Sequence, residues 1–288
     1  MSWSSLVSEL EEQYLTAQYL ADARDRVVLG TVEGKSMRDI AKQLFVDHDG
    51  QPRLVLSAVV FVDSLGTSAA SVAPDASVRL VNLHRAITGA AARSTFDHVG
   101  MLQYTTWFTD NVVAALPIAA HQDTESALRY AVTMAAEFSV GLLEHAILSR
   151  GGVSLGAIYI DDRFAFGPGL ISAHDLEVAA DKPRVLVDPR VAELLQDPTE
   201  LDVESLDAGL AQPTAPLRDG ELLYANHFDV AFSGRSVNQR AELALMLRAG
   251  LRKGLAQAAG SARHEAKWNW AVDLFDSSVR RYGIDLAP

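Results

Sequence analysis

The sequence predicts an α+β fold, and three observations carry that prediction. Residues 54–62 form an apolar and largely β-branched run, which is typical of a strand buried on both faces of a sheet. Two stretches, 99–118 and 153–166, each contain two apolar runs around a short turn sequence and therefore predict hairpins. Helical periodicity is clearest over 123–149, between those hairpins. Because strands and helices alternate in this way, we expect one sheet covered by helices.

The central part of the chain, residues 54–195, contains these elements in the order strand, helix, hairpin, helix, hairpin, helix, strand. This is the order of a ferredoxin-like palm, in which a sheet lies under two or more helices. The predicted helices of this domain are 75–93, 123–149 and about 170–180, and its last strand is 184–188.

A helical segment is expected before this domain, over residues 1–53, with an amphipathic helix at 4–28. The chain begins without a basic region and soon reaches Glu9, Glu11 and Glu12, so we predict no signal peptide. No stretch offers about 18 uninterrupted apolar residues, so we predict no transmembrane helix.

The last third of the chain is expected to be an appendage to the palm. Residues 196–236 are acidic and contain proline, which predicts a loop, with short strands at 222–224 and 228–232. The appendage ends in a C-terminal helical hairpin, 237–288, with helices over 237–258 and 261–282.

The composition excludes several kinds of site. The 288 residues are 49% hydrophobic and 22% charged, as in a globular protein, and carry a net charge of −12. Such an acidic chain is not expected to have an exposed nucleic-acid track. It has no cysteine, which rules out disulfides, thiolate zinc sites and a cysteine nucleophile, and fits a cytoplasmic location.

Two aspartates at the ends of predicted strands form the candidate metal site. Asp63 follows the run 54–62, and Asp110 lies at the tip of the first hairpin. A carboxylate beside buried strands is costly unless a cation or donor offsets its charge, and converging carboxylates can hold divalent metal against phosphate oxygens. Taken singly, each aspartate could instead be a strand-end cap.

The turn after Asp63 is made of small residues: Ser64, Leu65, Gly66, Thr67 and Ser68. Backbone N–H groups in such a turn can bind phosphate, and the start of a helix adds a favourable dipole. Thr67 and Ser68 could equally cap that helix, and the two roles are compatible. Asp161 and Asp162 are expected to form a solvated hairpin turn.

Four motifs, in this order and spacing, resemble those of class III nucleotidyl cyclases over about half of the chain. The motifs are Asp63-x-x-Gly66-x-Ser68, Phe108-Thr109-Asp110, Arg150-Gly151-Gly152-Val153-Ser154-Leu155-Gly156 and Phe166-Gly167-Pro168-Gly169-Leu170. The resemblance implies a nucleoside triphosphate substrate and two Mg²⁺ or Mn²⁺ ions held by Asp63, Asp110 and the backbone carbonyl of Ser64. It also implies a homodimer that completes each site across its interface.

The chain departs from that family at the residues that would bind the nucleotide base and at those that would stabilise the transition state. Thr106 and Phe164 stand where the family has the lysine and carboxylate that read adenine. The transition-state asparagine and arginine of the family fall near Ile171 and Asp175. Arg184 stands near the family's triphosphate lysine, and its charge suits that role.

In lacking these residues, the chain resembles the stand-alone pyrimidine cyclases of bacterial anti-phage defence. That resemblance implies UTP as substrate, with CTP second, and cyclic UMP as a messenger for a separate effector that senses the cyclic nucleotide. Tyr104 could stack on the base. Purine cyclization, a nucleotide-binding regulatory module and a related palm nuclease or polymerase remain alternatives. A diguanylate cyclase is disfavoured because the chain lacks a Gly-Gly-(Asp/Glu)-Glu-Phe hairpin.

Overall fold

The structure is a computed structural model. It describes residues 9–10, 12–15, 17–67, 71–72, 74–94, 102–120, 124–196 and 216–286. Within these ranges the strands form one mixed sheet with helices on both faces, which confirms the predicted α+β class.

The strands are β1 (Val55–Ser64), β2 (Tyr104–Phe108), β3 (Asn111–Pro117), β4 (Ser149–Ile160), β5 (Ala165–Phe166), β6 (Val185–Val187), β7 (Leu217–Asp219) and β8 (Leu222–Ala225). The helices are α1 (Ala17–Val32), α2 (Met37–Leu44), α3 (Ala76–Ser94), α4 (Thr124–Glu144), α5 (Pro168–Ala179), α6 (Pro189–Gln196), α7 (His227–Phe232), α8 (Val237–Ala258) and α9 (Ala262–Arg281). A single 3₁₀ turn, Ile118–Ala120, follows β3.

The centre of the sheet has the ferredoxin-like topology that the element order predicts. Its strands lie in the order β2-β3-β1-β4, and each neighbouring pair is antiparallel. The helices α3 and α4 connect β1 to β2 and β3 to β4. Beyond β4 the sheet continues with β6, which is parallel to β4, and then with β8 and β7.

Strand β1 is buried on both faces, as its apolar composition predicts. Val60 and Val62 belong to the core under α3 and α4. Val59 and Phe61 belong to a second core on the opposite face, which includes residues of α1, α2 and α5. Side chains alternate along a strand, so Asp63 continues the second face where β1 ends.

Helix α5 lies directly on β4 because two positions of the strand are glycine. A Cβ on Gly152 would lie 2.1 Å from the carbonyl oxygen of Ala173, and one on Gly156 would lie 2.7 Å from Cα of Gly169. Only glycine allows this approach. As a result, the last turns of α5 bring the buried carboxylate of Glu177 over the beginning of β4.

Residues 9–10, 12–14 and 17–28 are helical, as the helix predicted over 4–28 requires, whereas Leu15 is not, and residues 4–8 lie outside the described residues. Helix α1 runs from 17 to 32, and a second helix, α2, follows from Ser36, whose side chain accepts a hydrogen bond from the backbone N–H of Asp39. This Ser-x-x-Asp capping pattern is a sequence signal for the start of a helix, and it indicates α2.

The predicted strand at 228–232 is wrong, because these residues form α7. The side chain of Asn226 caps this helix and accepts hydrogen bonds from the backbone N–H of Phe228 at 3.1 Å and of Asp229 at 3.4 Å. Every residue of α7 is buried, because the helix packs against α8 and α9, and its one acidic residue, Asp229, forms an ion pair with Arg281. Such a short run has no periodicity that distinguishes a strand from a buried helix.

His227, at the start of α7, should make the stability of the protein depend on pH. Burial lowers the pKa of His227 from its ordinary value of 6.5 to about 4. The unfolded chain therefore binds more protons between these values, so stability is complete above about pH 6.5 and falls as the pH approaches 4. We expect the urea midpoint to fall between pH 7 and pH 5, and to fall less in His227→Gln. His48→Gln, at an exposed histidine, is the control. An equal fall in His227→Gln and the wild type would contradict the prediction.

Candidate metal and nucleotide site

The structure brings Asp63 and Asp110 to the same end of the sheet. Asp63 is the last residue of β1 that pairs with β3, where it lies opposite Asn111, and Asp110 directly precedes Asn111 in the β2–β3 turn. The backbone N–H of Ser64 donates to the carbonyl oxygen of Asp110 at 3.4 Å. The two carboxylates therefore lie on adjacent strands, where one ligand could touch both.

The electrostatics of Asp63 favour a bound cation. The pKa of Asp63 is raised to about 6, first by burial and then by the negative charges of Asp110 and Glu177, while the positive charge of Arg150 opposes the increase. The Asp63 side chain keeps only 20% of its exposure. A divalent cation would offset both the burial cost and the repulsion between the carboxylates.

Hydroxyl groups hold the carboxylate of Asp110 from both sides. Thr109 Oγ1 donates to one oxygen at 2.9 Å, and Thr67 Oγ1 donates to the other. Thr109 has a φ of 57°, a left-handed conformation that is uncommon for a β-branched residue but is typical of two-residue hairpin loops such as 109–110. The hydrogen bond from Thr67 also connects the turn after β1 to Asp110, one of the two candidate metal ligands.

The turn after Asp63 has a backbone conformation that requires glycine at one position. Gly66 has a φ of 90° and is exposed, so the turn depends on glycine there. Ser64 is buried, and its Oγ has no hydrogen-bond partner among the described residues. Because side chains alternate along β1, this hydroxyl lies on the face of the strand opposite the Asp63 carboxylate, on the side of Ser149 of β4. Ser68 lies outside the described residues.

Arg150 is a site residue whose position could not be read from the sequence. It pairs with Asp63 in the register of β1 and β4, and its Nε lies 3.7 Å from Asp63 Oδ2. Its Nε also forms an ion pair with Glu177 of α5. Arg150 therefore lies between the carboxylates of Asp63 and Glu177. This arrangement depends on the register of β4 with β1 and on the packing of α5 against β4.

Arg184 lies two strands away from Asp63, beside the same end of the sheet. Its carbonyl oxygen accepts a hydrogen bond from the backbone N–H of Gly151 at 3.1 Å. Its buried guanidinium pairs with Asp219 at 2.7 Å and with Asp181 at 2.8 Å. Its role as a phosphate ligand stays a prediction, and the guanidinium would have to exchange one of these partners to fill it.

The three base-pocket candidates do not surround Asp63 of the same chain. Tyr104 is aligned, through β3, with a position of β1 four residues before Asp63, about 13 Å along the strand. Its hydroxyl donates to Asp162 at 2.5 Å. Thr106 is buried in β2, and Phe164 is 49% exposed beyond the opposite end of β4. Their roles stay predictions.

Asp162 is exposed, as a solvated turn residue should be, but it also connects two parts of the chain. It accepts hydrogen bonds from Arg38 at 2.8 Å, Lys42 at 2.7 Å and Tyr104 at 2.5 Å. These hydrogen bonds hold the pKa of Asp162 far below its usual range. Its neighbour Asp161 forms the expected turn contacts with the backbone that follows. Asp162 thus fixes α2 to the palm.

A second acidic cluster, Asp47, His48 and Asp49, has potential ligand atoms within 4.8 Å of one another. Its structure is explained by a turn, because Asp47 Oδ1 accepts from the backbone N–H groups of Asp49 and Gln51 at 2.9 and 2.8 Å. The cluster is useful as a comparison site for metal binding.

No family model and no curated protein matches the chain. Among solved structures, the adenylyl cyclase CyaB from P. aeruginosa shares 13% identity over 60% of this chain and 92% of its own, with a TM-score of 0.42. A class III adenylyl cyclase-like ATP-binding protein from Pseudomonas aeruginosa shares 13% identity over 49% of this chain and 35% of its own, with a TM-score of 0.40. A bacterial light-regulated adenylyl cyclase shares 13% identity over 79% and 69%, with a TM-score of 0.41.

Two of these structures are adenylyl cyclases and one is a class III adenylyl cyclase-like ATP-binding protein. At such identities and TM-scores the likeness by itself says nothing about what this chain does. Among the described helices, none combines the length and the apolarity that crossing a bilayer requires.

Proposed function

We propose that this chain is a nucleotidyl cyclase that uses divalent metal. The observation that carries the proposal is the convergence of Asp63 and Asp110 at one end of the sheet, next to a turn of small residues. The reaction joins the ribose 3′-oxygen to the α-phosphorus and breaks the bond from that phosphorus to the β-phosphate. The products are a 3′,5′-cyclic nucleotide, pyrophosphate and the proton of the hydroxyl group.

The residues present fit a metal site. Asp63 is largely buried, and the nearby carboxylates of Asp110 and Glu177 disfavour its ionised form, so a cation is needed to balance the charge. Asp63, Asp110 and the carbonyl oxygen of Ser64 would supply the oxygen ligands that Mg²⁺ and Mn²⁺ prefer. Two such ions, when bound, would lower the pKa of the 3′-hydroxyl and offset the charge of the phosphates.

The surrounding side chains would position these ligands and the phosphates. Thr67 and Thr109 hold the carboxylate of Asp110, so its oxygens are oriented before a ligand arrives. Arg150 holds Asp63 in place from the neighbouring strand. The backbone N–H groups around Gly66 would contact phosphate oxygens, with the help of Thr67 and Ser68.

A pyrimidine substrate is the favoured choice, UTP first and CTP second. Thr106 and Phe164 replace the charged pair that reads adenine in the cyclases this chain resembles. Thr106 is buried and Phe164 carries no polar side-chain group, so neither supplies that recognition. By the same resemblance, the product would be cyclic UMP, formed in the cytoplasm as a signal to a separate effector in anti-phage defence.

A homodimer is supported by the separation of the two parts of the site. Tyr104 and Phe164 of one chain are remote from its own Asp63, so a second copy would be needed to bring either of them to the site. Thr106 is closer, because it is aligned through β3 with Phe61, two residues before Asp63. Helix α5 also exposes apolar side chains, with Ile171 61% and Val178 58% exposed, and Phe166 just before it is 65% exposed. Exposed apolar groups of this kind are typical of an interface.

The proposal is tested by incubating the purified protein with ATP, GTP, CTP and UTP in turn, in Mn²⁺, with products identified by mass spectrometry. Cyclic UMP is the expected product. Formation of cyclic AMP or cyclic GMP would support cyclase activity but would contradict the interpretation of Thr106 and Phe164. No cyclic product from any nucleotide would contradict the proposal.

A nucleotide-binding regulatory module is the second candidate. One observation favours it: Ile171 and Asp175 stand near the places of the transition-state asparagine and arginine, and both are exposed on α5. Tight binding of a nucleoside triphosphate without turnover in Mn²⁺ would select this candidate over the cyclase.

A further inference from the structure

Helix α9 of the C-terminal pair lies against the end of the sheet that carries Asp63. Leu65, in the turn after Asp63, packs against the hydrophobic core that α9 shares with α4, α7 and α8. The ring of Trp270 lies 6.0 Å from the guanidinium carbon of Arg184. The appended helix therefore shares a core with the turn after Asp63 and lies beside Arg184 at the same end of the sheet.

Lys267 is on the part of α9 that faces this region. It precedes Trp270 by three residues and Ala271 by four, so it shares their side of the helix, one turn nearer the N-terminus. Lys267 is half-buried, whereas Lys253 of α8 is exposed. Among the described residues, no carboxylate lies within ion-pairing distance of Lys267. It is therefore a partly buried cation without a counterion.

The charges around Lys267 favour an anion. Burial lowers the pKa of Lys267, the positive charges of Arg150 and Arg263 lower it further, and only Asp63 opposes them. Arg150 is already paired with Glu177, and Arg263 is exposed one turn before Lys267. A polyanion placed here would relieve the repulsion among the three cations.

We propose that Lys267 binds the β- and γ-phosphates of a nucleoside triphosphate whose α-phosphate lies at Asp63 and Asp110. This inference rests on the proposed function and deepens it, because it makes the C-terminal helical pair part of the site. Lys267 would also stabilise the charge that the pyrophosphate gains as its bond to the α-phosphorus breaks.

The test compares ligand affinities by titration calorimetry in the full chain. Lys267→Met is expected to weaken binding of inorganic tripolyphosphate and of UTP about ten- to hundredfold, the loss of one hydrogen-bonded charge. Mn²⁺ binding without phosphate should stay equal or become tighter, because a nearby positive charge is removed. Lys267→Arg should restore most of the tripolyphosphate affinity. Lys253→Met, with the same charge change at an exposed site, should leave every affinity unchanged.

A purely structural role would move both ligands in the same direction, since a misfolded site loses anion and metal together. If Lys267→Met does not fold, Lys267→Gln replaces it in the comparison. The proposal is overturned if the wild type does not bind tripolyphosphate, or if the variant binds it as tightly as the wild type. Tripolyphosphate binding that depends on Lys267, without cyclic product from any nucleotide, would overturn the cyclase proposal and leave this inference standing.

Discussion

Asp63→Asn and Asp110→Asn are each expected to reduce the rate of cyclic nucleotide formation by about a thousandfold or more, equivalent to roughly 4 kcal/mol of barrier. Asparagine keeps the shape of aspartate but removes the charge that a divalent ion requires. Each substitution should be sufficient alone, because the two carboxylates are proposed to hold the ions jointly. The measurement is the initial rate of product formation in Mn²⁺ for each variant.

Measuring the stability of each variant distinguishes a loss of metal-dependent activity from a loss of folding. Burial and two neighbouring acids raise the pKa of Asp63, so its ionised form is disfavoured by the fold at neutral pH. Asp63→Asn should therefore leave the metal-free protein as stable as the wild type, or more stable, while activity is lost. Asp49→Asn, at an exposed aspartate remote from the sheet end, is the matched control and should keep full activity. Wild-type rates in either Asp63→Asn or Asp110→Asn would contradict the proposed mechanism.

Gly152→Ala is expected to lower the free energy of unfolding by about 3 kcal/mol or more, the upper range for overpacking a core. The new Cβ would lie 2.1 Å from the carbonyl oxygen of Ala173 and 2.6 Å from Cβ of Leu176, so α5 would have to move away from β4. That movement would also draw Glu177 away from Arg150 and weaken the site. Urea denaturation followed by circular dichroism measures the change.

Gly89→Ala provides the matched control for that substitution. A Cβ on Gly89 of α3 meets nothing nearer than His145 Nε2 at 3.8 Å, so alanine should be neutral or stabilising by up to about 1 kcal/mol. If Gly152→Ala is as stable as Gly89→Ala, the close packing of α5 against β4 at Gly152 is contradicted.

The parts of the fold that were predicted from the sequence depend on local patterns. The run 54–62 is apolar at every position except Ser57, which identifies a strand buried on both faces. The Thr109-Asp110 turn separates two apolar runs, which identifies a hairpin. Strand ends on adjacent strands of a sheet lie close together, so the proximity of Asp63 and Asp110 follows once the hairpin is placed beside β1.

The parts that could not be predicted depend on register and on distant contacts. Arg150 lies beside Asp63 only because β4 pairs with β1 in one register and α5 sits on glycines. Asp162 binds α2 across more than a hundred residues of chain, and no local pattern reports such a contact. Lys267 reaches the same region through the packing of α9, which periodicity cannot orient.

Mn²⁺ binding followed by electron paramagnetic resonance tests the central claim most directly. A nucleoside triphosphate without a 3′-hydroxyl, which cannot cyclise, is added so that the complete site is observed. The account predicts about two Mn²⁺ per chain in the wild type and in Asp49→Asn, and loss of this binding in Asp63→Asn and in Asp110→Asn. Binding that survives both of the latter substitutions, or that is lost only in Asp49→Asn, would contradict it.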